Sequence, residues 1–405
     1  MQGWFPAVRW GVGAALASRL ALLAWMAVVW LGFGERLGIP VDLHTDPVAA
    51  LPTLEQPAQQ AVFGVWRRWD ASHYLNLAQN GYRAEDPGPT VFGLLTPLGI
   101  RAFDAALPGG IDLGAMVYAT AAYAFALTML YRVCEVYYDD ADLGRWSVMV
   151  LAMLPLAFFF SAPMSEAAYL GLALGVFYAG AKGRWLLAGV FGALAALARS
   201  QGVMLAGVAG LMLLEAGLAR CPTWPERLRD LARRGWPLLF IPAAWVGFLV
   251  FRDGLGLPPL DDIYRTRSYI FFTNPLNGLL LNLRYIVENP ADALFNVDLW
   301  ALVVSSVLFI LLLRDRRHRR APLAAYALAS LLVAVSKINW AWGGYDDVLY
   351  SQSFGRYMLT VFPLAIWLAD GLRRRSRPVR VAWFTLSGLG LVVFSALLAL
   401  GGGAP

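Results

Sequence analysis

Long apolar runs alternate with short polar segments along the whole chain. Four of the clearest runs cover residues 14–31, 113–130, 299–313 and 381–400. Each approaches the roughly 20 residues that a helix needs to cross a bilayer. The pattern predicts an all-α polytopic membrane protein. The first run, within residues 7–33, is longer than the apolar core of about 7–15 residues in a signal peptide, so we expect a retained span.

The amino-acid composition agrees with this pattern. The 405 residues are 59% hydrophobic and 15% charged, whereas soluble domains carry about 25% charged residues. The composition therefore excludes an ordinary cytosolic enzyme. The formal net charge is +6, but the excess lies in short clusters between apolar runs, which is typical of membrane topology and not of nucleic-acid binding.

Basic clusters orient the predicted spans. They lie at residues 182–184, 220–234, 314–320 and 373–380, and the positive-inside rule places all four in the cytoplasm. Helices that alternate between these clusters give about eleven transmembrane segments, two of them short helices within residues 185–218. The others are residues 7–33, 111–131, 146–163, 165–181, 236–251, 296–313, 321–337, 355–371 and 381–399.

Three substantial loops then lie on the external side, at residues 34–110, 252–295 and 338–354. No comparable loop is predicted inside. We therefore treat residues 1–405 as a single integral membrane domain. Its chemistry is expected on the external face, with 34–110 as a catalytic first loop that carries interfacial helices.

One stretch of the first loop, residues 91–107, tests this topology. If it were a span, the first loop would lie on the cytoplasmic side and the N-terminus would move to the opposite side of the membrane. The stretch contains Arg101 and Asp104, and Pro97 interrupts it. A charged side chain at a helix centre costs about 2.5–3.5 kcal/mol on insertion scales. We therefore predict an amphipathic helix that lies at the outer interface.

The most informative part of the first loop is residues 66–82, which predict a short helix with Asp70 as its N-terminal acid. An aspartate at that position often caps the helix or pairs with its dipole. The functional alternative is a general base at the membrane surface. Trp69, His73 and Tyr74 lie next to this acid and are candidate substrate contacts.

A second acid, Glu166, follows the aromatic stretch 158–160 and opens the span predicted for residues 165–181. An acid in the first helical turn stabilises the helix dipole. Ionisable groups at membrane depth are, however, functional candidates by default. The dense aromatic sequence beside Glu166 favours a role in substrate binding.

Two arginines lie at predicted external depth. Arg199 is at a polar break, residues 199–202, in the tip of a short hairpin, and Arg356 is at the outer end of a span. The planar guanidinium group suits phosphate because it forms two parallel charge-assisted hydrogen bonds. Snorkelling to the membrane surface is the alternative for Arg356. Its neighbour Tyr357 is a further candidate substrate contact.

No metal site stands out. The external acidic pairs 261–262 and 346–347 could bind a sugar or a divalent cation, although surface loops often carry such pairs. The three aspartates within residues 139–142 fall in a predicted solvated cytoplasmic loop. The histidines lack metal-ligand spacing, and no nucleotide-binding glycine loop is present. The sequence predicts no certain cofactor and leaves a divalent cation open.

Four blocks resemble the PIG-V family, the transferases that add the second mannose of GPI anchors. The first is Arg68-Trp-Asp-Ala-x-x-Tyr-Leu-x-Leu-Ala-x-x-Gly-Tyr82, which is quite specific. The later blocks are short and persuasive mainly by their order. They are Phe158-Phe-Phe-Ser-Ala-x-x-Ser-Glu166, Ala198-Arg-Ser-x-Gly202 and Ser353-x-x-Arg-Tyr357. The resemblance covers about residues 60–370.

The resemblance implies a member of the glycosyltransferase C superfamily, with an external active site and inverting chemistry. It also implies a sugar donor linked to polyprenyl phosphate, and it makes Asp70 the first-loop acid of this enzyme class. Two features depart from the family. Residues 91–97 read Val-Phe-Gly-Leu-Leu-Thr-Pro, where the family usually has Phe-Phe-Pro-Leu-Tyr-Pro. The Ala-, Gly- and Arg-rich composition looks bacterial, so a GPI precursor is not the expected acceptor.

The predicted function is an inverting mannosyltransferase in the cell (inner) membrane, with its active site facing the periplasm or exterior. Its expected partners are a polyprenyl-phosphate-linked mannose donor, the lipid bilayer and a lipid, glycan or protein acceptor. Asp70 would be the general base, and Arg199 and Arg356 would bind the donor phosphate. The substrate contacts would be Trp69, His73, Tyr74, Glu166 and Tyr357.

Two other classes of function stay open. A transporter or flippase of a prenyl-linked lipid would show paired broken helices in two related halves, and only the break at Arg199 is visible. A non-catalytic subunit of a transferase complex would bind prenyl phosphate without turning it over.

Overall fold

The computed structural model describes residues 3–34, 36, 51–218, 220, 223–342 and 345–401, without the side chains of 341–349. Parts of the predicted external loops 34–110 and 338–354 therefore lie outside the described residues. The same holds for the side chains of the acidic pair 346–347.

The described residues are mostly helical. The first nine α-helices are α1 (Phe5–Val29), α2 (Pro57–Val62), α3 (Asp70–Asn80), α4 (Leu95–Ala106), α5 (Gly110–Tyr138), α6 (Ala141–Ala152), α7 (Glu166–Ala181), α8 (Trp185–Ala198) and α9 (Leu205–Leu218). The next five are α10 (Trp224–Gly235), α11 (Phe240–Gly254), α12 (Leu260–Arg267), α13 (Pro275–Glu288) and α14 (Pro290–Phe295). The last five are α15 (Val297–Arg314), α16 (Ala321–Ser336), α17 (Phe354–Leu359), α18 (Phe362–Arg373) and α19 (Arg377–Ala399).

Short helical turns extend or connect several of these helices. A π-helical turn, Trp30–Gly34, continues α1. The 3₁₀ turns are Gly64–Trp66, Gly88–Val91, Ala157–Phe160, Ser200–Met204 and Trp236–Leu239.

Six helical segments of the described chain are long and apolar enough to cross a membrane, by length and composition. They are Phe5–Gly34, Gly110–Tyr138, Ser200–Leu218, Trp224–Gly254, Val297–Arg314 and Arg377–Ala399. Three shorter apolar helices are Glu166–Ala181, Trp185–Ala198 and Ala321–Ser336. The protein is therefore an integral membrane protein, while the number of eleven spans stays a prediction.

Two predicted spans are not continuous helices. The span at 146–163 is wrong in its second half, because α6 ends at Ala152 and a turn-rich segment follows. Pro155 lies in that segment and has no N–H to donate to a continuing helix. The span at 355–371 is interrupted between α17 and α18, where Pro363 lies in the first turn of the second helix. The hairpin predicted within residues 185–218 is confirmed.

The prediction of an all-α protein is confirmed in part: the described residues are mostly helical, but three strands, mostly in loops predicted to be external, form a small antiparallel sheet in the order β1-β2-β3. Its strands are β1 (Ile270–Phe272), β2 (Lys337–Trp342) and β3 (Tyr345–Tyr350). Ile270 pairs with Asn339 and Phe272 with Lys337, and Asn339 in turn pairs with Tyr350. Pairing between distant segments carries no local sequence period, so the hydropathy pattern did not reveal it.

Helix α5 lies at the centre of the N-terminal bundle, where it packs against α1, α4, α6 and α7. Small residues allow the close approach, as expected for helices in lipid. At Gly11 of α1, an added Cβ would lie 2.2 Å from Oγ1 of Thr128 on α5. At Gly93, the first loop meets the end of α8, where an added Cβ would lie 2.2 Å from the Leu197 carbonyl oxygen. The first loop is thereby held next to the break at Arg199.

Ion pairs join several helices at the far end of α5. Asp140 pairs with Arg317 (2.9 Å) and Arg373 (2.7 Å). Asp370 of α18 pairs with the same two arginines at 3.2 and 2.6 Å. The prediction of a freely solvated loop at 139–142 is therefore wrong for Asp140, whose side chain is only 20% exposed.

Candidate active site

Asp70 is the first residue of α3, as the sequence predicted, but its carboxylate does not cap the helix. Instead, Oδ2 of Asp70 accepts a hydrogen bond of 2.8 Å from Nη1 of Arg356. The side chain of Asp70 keeps 33% of its surface exposed. The helix-cap explanation therefore does not account for this acid, and a partly accessible carboxylate lies beside a buried cation.

The backbone immediately before Asp70 is strained. Trp69 has φ 52° and ψ −133°, a region that is essentially restricted to glycine and costs of order 1–3 kcal/mol. Flanking contacts hold it in place, since Arg67 forms a two-pronged ion pair with Asp112 of α5 at 2.7 and 2.5 Å. Arg68 contacts the Ala399 carbonyl oxygen at the end of α19. Such strain is common at functional sites, where the surrounding structure fixes an exact side-chain position.

Glu166 is the first residue of α7 and is completely buried. Its Oε1 accepts hydrogen bonds from Nη1 of Arg199 (2.7 Å) and from Nη2 and Nε of Arg356 (2.7 and 3.2 Å). Glu166 therefore contacts both arginines through a single carboxylate oxygen. A role in direct substrate contact stays a prediction, and in this structure the carboxylate holds two cations in place.

Arg356 is buried rather than extended to the membrane surface, so snorkelling does not describe it. Its side chain is 8% exposed and bridges Asp70 and Glu166. The guanidinium also lies 4.7 Å from the centre of the Phe159 ring. Two acids and an aromatic face therefore fix its orientation.

The segment that leads into Arg356 is held by a carboxylate that the sequence did not single out. Asp298, at the start of α15, is 2% exposed. It accepts hydrogen bonds from the backbone N–H groups of Ser353 (2.6 Å) and Gly355 (2.9 Å). Ser353 adopts the left-handed conformation at φ 61°. Asp298 therefore orders the N-terminus of α17 and sets the position of Arg356.

Arg199 ends α8 in an extended conformation, with φ −149° and ψ 139°. The change of direction at the polar break points its guanidinium to Glu166. The same group lies 4.7 Å from the centre of the Tyr357 ring. The structure thus brings Arg199 together with Arg356 and Tyr357, which lie more than 150 residues later in the chain.

The aromatic residues next to Asp70 form one side of the site. Trp69 lies 5.8 Å from Phe159, measured between ring centres. His73 stacks on Phe92 at 5.6 Å. All the residues predicted to contact substrate therefore have a place in or beside this cluster, although their roles stay predictions.

Tyr74 is more deeply buried than the other aromatic candidates, since only 3% of its surface is exposed. Its hydroxyl donates to Oγ of Ser165 at 2.8 Å, one residue before Glu166. Tyr74 thereby connects α3 to the start of α7.

The ionisation of Asp70 is controlled by two opposing effects. Burial, the largest single effect, acts to raise the pKa of the Asp70 carboxyl, but the nearby positive charges, Arg356 foremost, and the hydrogen bond from Arg356 together outweigh it. The net pKa therefore lies below its ordinary value of 3.8. Asp70 is consequently a carboxylate across the neutral pH range, which a group that accepts a proton requires.

Sequence reasoning missed two further residues near the cluster. Lys337, the first residue of β2, lies 5.3 Å from the centre of the Tyr357 ring. Tyr264 of α12 lies close enough to Tyr357 and Arg199 to interact electrostatically, and burial raises the pKa of its hydroxyl. Lys337 could have been noticed from the sequence, because the chain contains only two lysines, Lys182 and Lys337.

No group of three or more His, Cys, Asp or Glu side chains among the described residues could hold a metal ion. Asp261 and Asp262 are exposed at the start of α12. The carboxylates of Asp70 and Glu166 are each bound by arginine.

Comparisons with solved structures give a distant likeness. A crystal structure of the Archaeoglobus fulgidus oligosaccharyltransferase tethered with an acceptor peptide is 13% identical, with 98% of this chain and 56% of that chain covered and a TM-score of 0.40. The complex of that enzyme with an inhibitory peptide and a dolichol-phosphate is 14% identical, with 96% and 56% covered and a TM-score of 0.38. The chain thus spans about half the length of these structures, and similarity at this level carries no functional argument.

Sequence comparison is more informative. No curated protein matches the chain significantly. The sequence model of the mannosyltransferase (PIG-V) family matches residues 42–218, which is less than half of the chain. This range contains Asp70, Glu166 and Arg199, while Arg356 lies beyond it. The resemblance predicted from the motifs is therefore confirmed: over residues 42–218 the chain matches the mannosyltransferase (PIG-V) family.

Proposed function

We propose that this protein is an integral membrane mannosyltransferase of the inverting type. It takes mannose from a polyprenyl-phosphate-linked donor and transfers it to a lipid, glycan or protein acceptor. Its active site faces the periplasm or the cell exterior from the inner membrane. The observation that carries this proposal is the contact between the partly exposed Asp70 carboxylate and the buried Arg356 guanidinium.

Asp70 is the general base of the proposed reaction. An acceptor hydroxyl attacks the anomeric carbon of mannose from the side opposite the phosphate, and Asp70 takes the hydroxyl proton. A new carbon–oxygen bond forms while the bond between the sugar and the phosphate oxygen breaks. Its lowered pKa keeps Asp70 ionised and able to accept this proton.

Arg199 and Arg356 bind the phosphate of the donor and stabilise the charge that develops on it. Fixed cations in a site that excludes water stabilise a leaving group without reorganising at the moment of reaction. Glu166 holds both guanidinium groups and in this proposal acts through them. Trp69, His73, Tyr74 and Tyr357 position the two substrates.

Donor turnover tests this function directly. Purified protein is incubated with polyprenyl-phosphate mannose and an extract of host membrane and wall glycans, and donor and products are followed by mass spectrometry. We expect loss of donor and an acceptor mass increase of one hexose. No turnover with mannose, glucose or arabinose donors would contradict the proposal and favour a transporter or a binding subunit.

The pH dependence of transfer tests the link between Asp70 and Arg356. Because Arg356 lowers the pKa of Asp70 while burial raises it, removing the cation leaves burial to dominate. In Arg356→Gln we therefore expect the acid limb of the kcat/KM profile to move to higher pH than in the wild type. The measurement is the position of the limb, which is independent of the overall loss of rate.

Arg284→Gln is the matched control for this profile. Arg284 forms an exposed external ion pair with Glu288 on α13, so its removal is expected to leave the limb unchanged. An identical acid limb in Arg356→Gln and the wild type would show that another group is the base.

A further inference from the structure

Lys337 occupies a defined position at the edge of the site. It follows the last residue of α16 and begins β2, where it pairs in register with Phe272 of β1. Its side chain is partly exposed, and Nζ lies 5.3 Å from the centre of the Tyr357 ring. Arg199 contacts the same ring at 4.7 Å. Three cations therefore lie near Tyr357: Lys337, Arg199 and Arg356.

The three cations differ in their partners. Arg356 donates to both Asp70 and Glu166, and Arg199 donates to Glu166. Among the side chains that the structure describes, no carboxylate forms an ion pair with Lys337. A ligand can therefore use the charge of Lys337 without breaking an ion pair seen in the described structure.

Two acids feel the charge of Lys337: Asp70, which is bound by Arg356, and Asp298. The two oxygens of Asp298 are already engaged by the backbone N–H groups of Ser353 and Gly355. Asp298 therefore orders the backbone of α17 and leaves the lysine ammonium free of a direct carboxylate contact within the described side chains.

The chemistry of the reaction suits this arrangement. The donor is a phosphate diester with one negative charge, and the leaving group is a phosphate monoester whose charge approaches two. A compact ammonium group on a flexible stem can follow the phosphate as this charge grows. Stabilisation that increases as the bond breaks is the kind that accelerates a reaction.

We propose that Lys337 is a third phosphate-binding residue of the site and binds the phosphate of the prenyl-linked donor and of the released prenyl phosphate. This inference rests on the proposed function for the identity of the lipid. It adds a residue from the external sheet to a site otherwise built from helix ends and the first loop.

The small number of lysines gives a direct test. Lys337 and Lys182 are the only lysines in the sequence, and Lys182 lies exposed in the turn between α7 and α8. An amine-reactive acetylating reagent is applied to the full-length protein in lipid nanodiscs, and the labelling rate of each lysine is measured by mass spectrometry. The probes are a polyprenyl phosphate, the polyprenol of equal chain length and inorganic phosphate.

We expect the polyprenyl phosphate to slow the labelling of Lys337 by about tenfold or more, as a charge-assisted hydrogen bond would. The labelling of Lys182 should not change, and neither polyprenol nor inorganic phosphate at the same concentration should protect Lys337. Equal protection by polyprenol would assign the effect to the lipid chain, and equal protection by inorganic phosphate would assign a free-phosphate site. Either result, or no protection at all, would overturn the proposal.

Variants measure the contribution of the charge to lipid binding. In Lys337→Gln we expect polyprenyl phosphate to bind about tenfold or more weakly, whereas Lys337→Arg should recover most of the affinity because the charge is kept. Lys182→Gln is the matched control and should bind as the wild type does. Equal affinity of Lys337→Gln and the wild type would contradict the inference.

The outcomes for Lys337 and for the proposed function are separable. Mannose transfer by the wild type with no protection of Lys337 would overturn the lysine assignment and leave the transferase intact. Protection of Lys337 without transfer from any sugar donor would support the phosphate site and overturn the proposed function.

Discussion

Asp70→Asn is expected to lower the rate of mannose transfer by about 10²–10⁴-fold, the usual contribution of a general base. The amide has nearly the same shape as the carboxylate but cannot take the acceptor proton. The fold should survive, because Arg356 keeps its contacts with Glu166 and the Asp70 side chain is partly exposed. The measurement is the consumption of polyprenyl-phosphate mannose by wild type and variant, followed by mass spectrometry.

Two comparisons make this result specific. Glu85→Gln removes an exposed acid from the same first loop and is expected to leave the transfer rate unchanged. The melting temperatures of wild type and Asp70→Asn in the same detergent should agree within a few degrees, since the buried Arg356 keeps its hydrogen bonds to Glu166. Full transfer by Asp70→Asn would exclude Asp70 as the base.

Glu166→Gln is expected to cost the largest amount of stability, about 3–5 kcal/mol, as the removal of one partner from a buried ion pair typically does. The Glu166 carboxylate has no exposed surface and is contacted by both Arg199 and Arg356. Its neutralisation leaves Arg199 buried without that partner, while Arg356 retains only Asp70. The measurement is the unfolding of the purified protein in detergent, followed by temperature or denaturant.

A double substitution separates charge from packing. Glu166→Gln combined with Arg199→Gln removes one charge of each sign, so its cost should be smaller than the sum of the two single substitutions. Glu288→Gln is the control, because Glu288 forms an exposed pair with Arg284 and should cost about 1 kcal/mol or less. A loss of similar size in Glu166→Gln and Glu288→Gln would show that the buried pair contributes little.

Local sequence patterns were sufficient for the elements that depend on local interactions. The apolar runs located the long helices α1, α5, α15 and α19, because a helix that crosses a membrane must be predominantly apolar over about 20 residues. The polar break at Arg199 and the helix that begins at Asp70 were also predicted. Both depend on interactions within a few residues of the chain.

The same patterns failed where the chain is buried in protein. Turns replace the second half of the predicted span 146–163, and the described chain there includes the buried 3₁₀ turn Ala157–Phe160. Buried turns and buried helices are equally apolar, so hydropathy cannot separate them. The sheet was missed because β1 and β2 are separated by more than 60 residues.

For the site, the sequence supplied the residue types and the structure supplied their partners. The motifs named Asp70, Glu166, Arg199 and Arg356, each with an ordinary structural explanation that sequence alone could not exclude. Only the tertiary structure decided between the explanations, because ion pairing depends on distances between atoms that the chain brings together from remote positions. The same physical reason applies to Lys337: it is one of only two lysines in the sequence, but only the structure places it beside Tyr357.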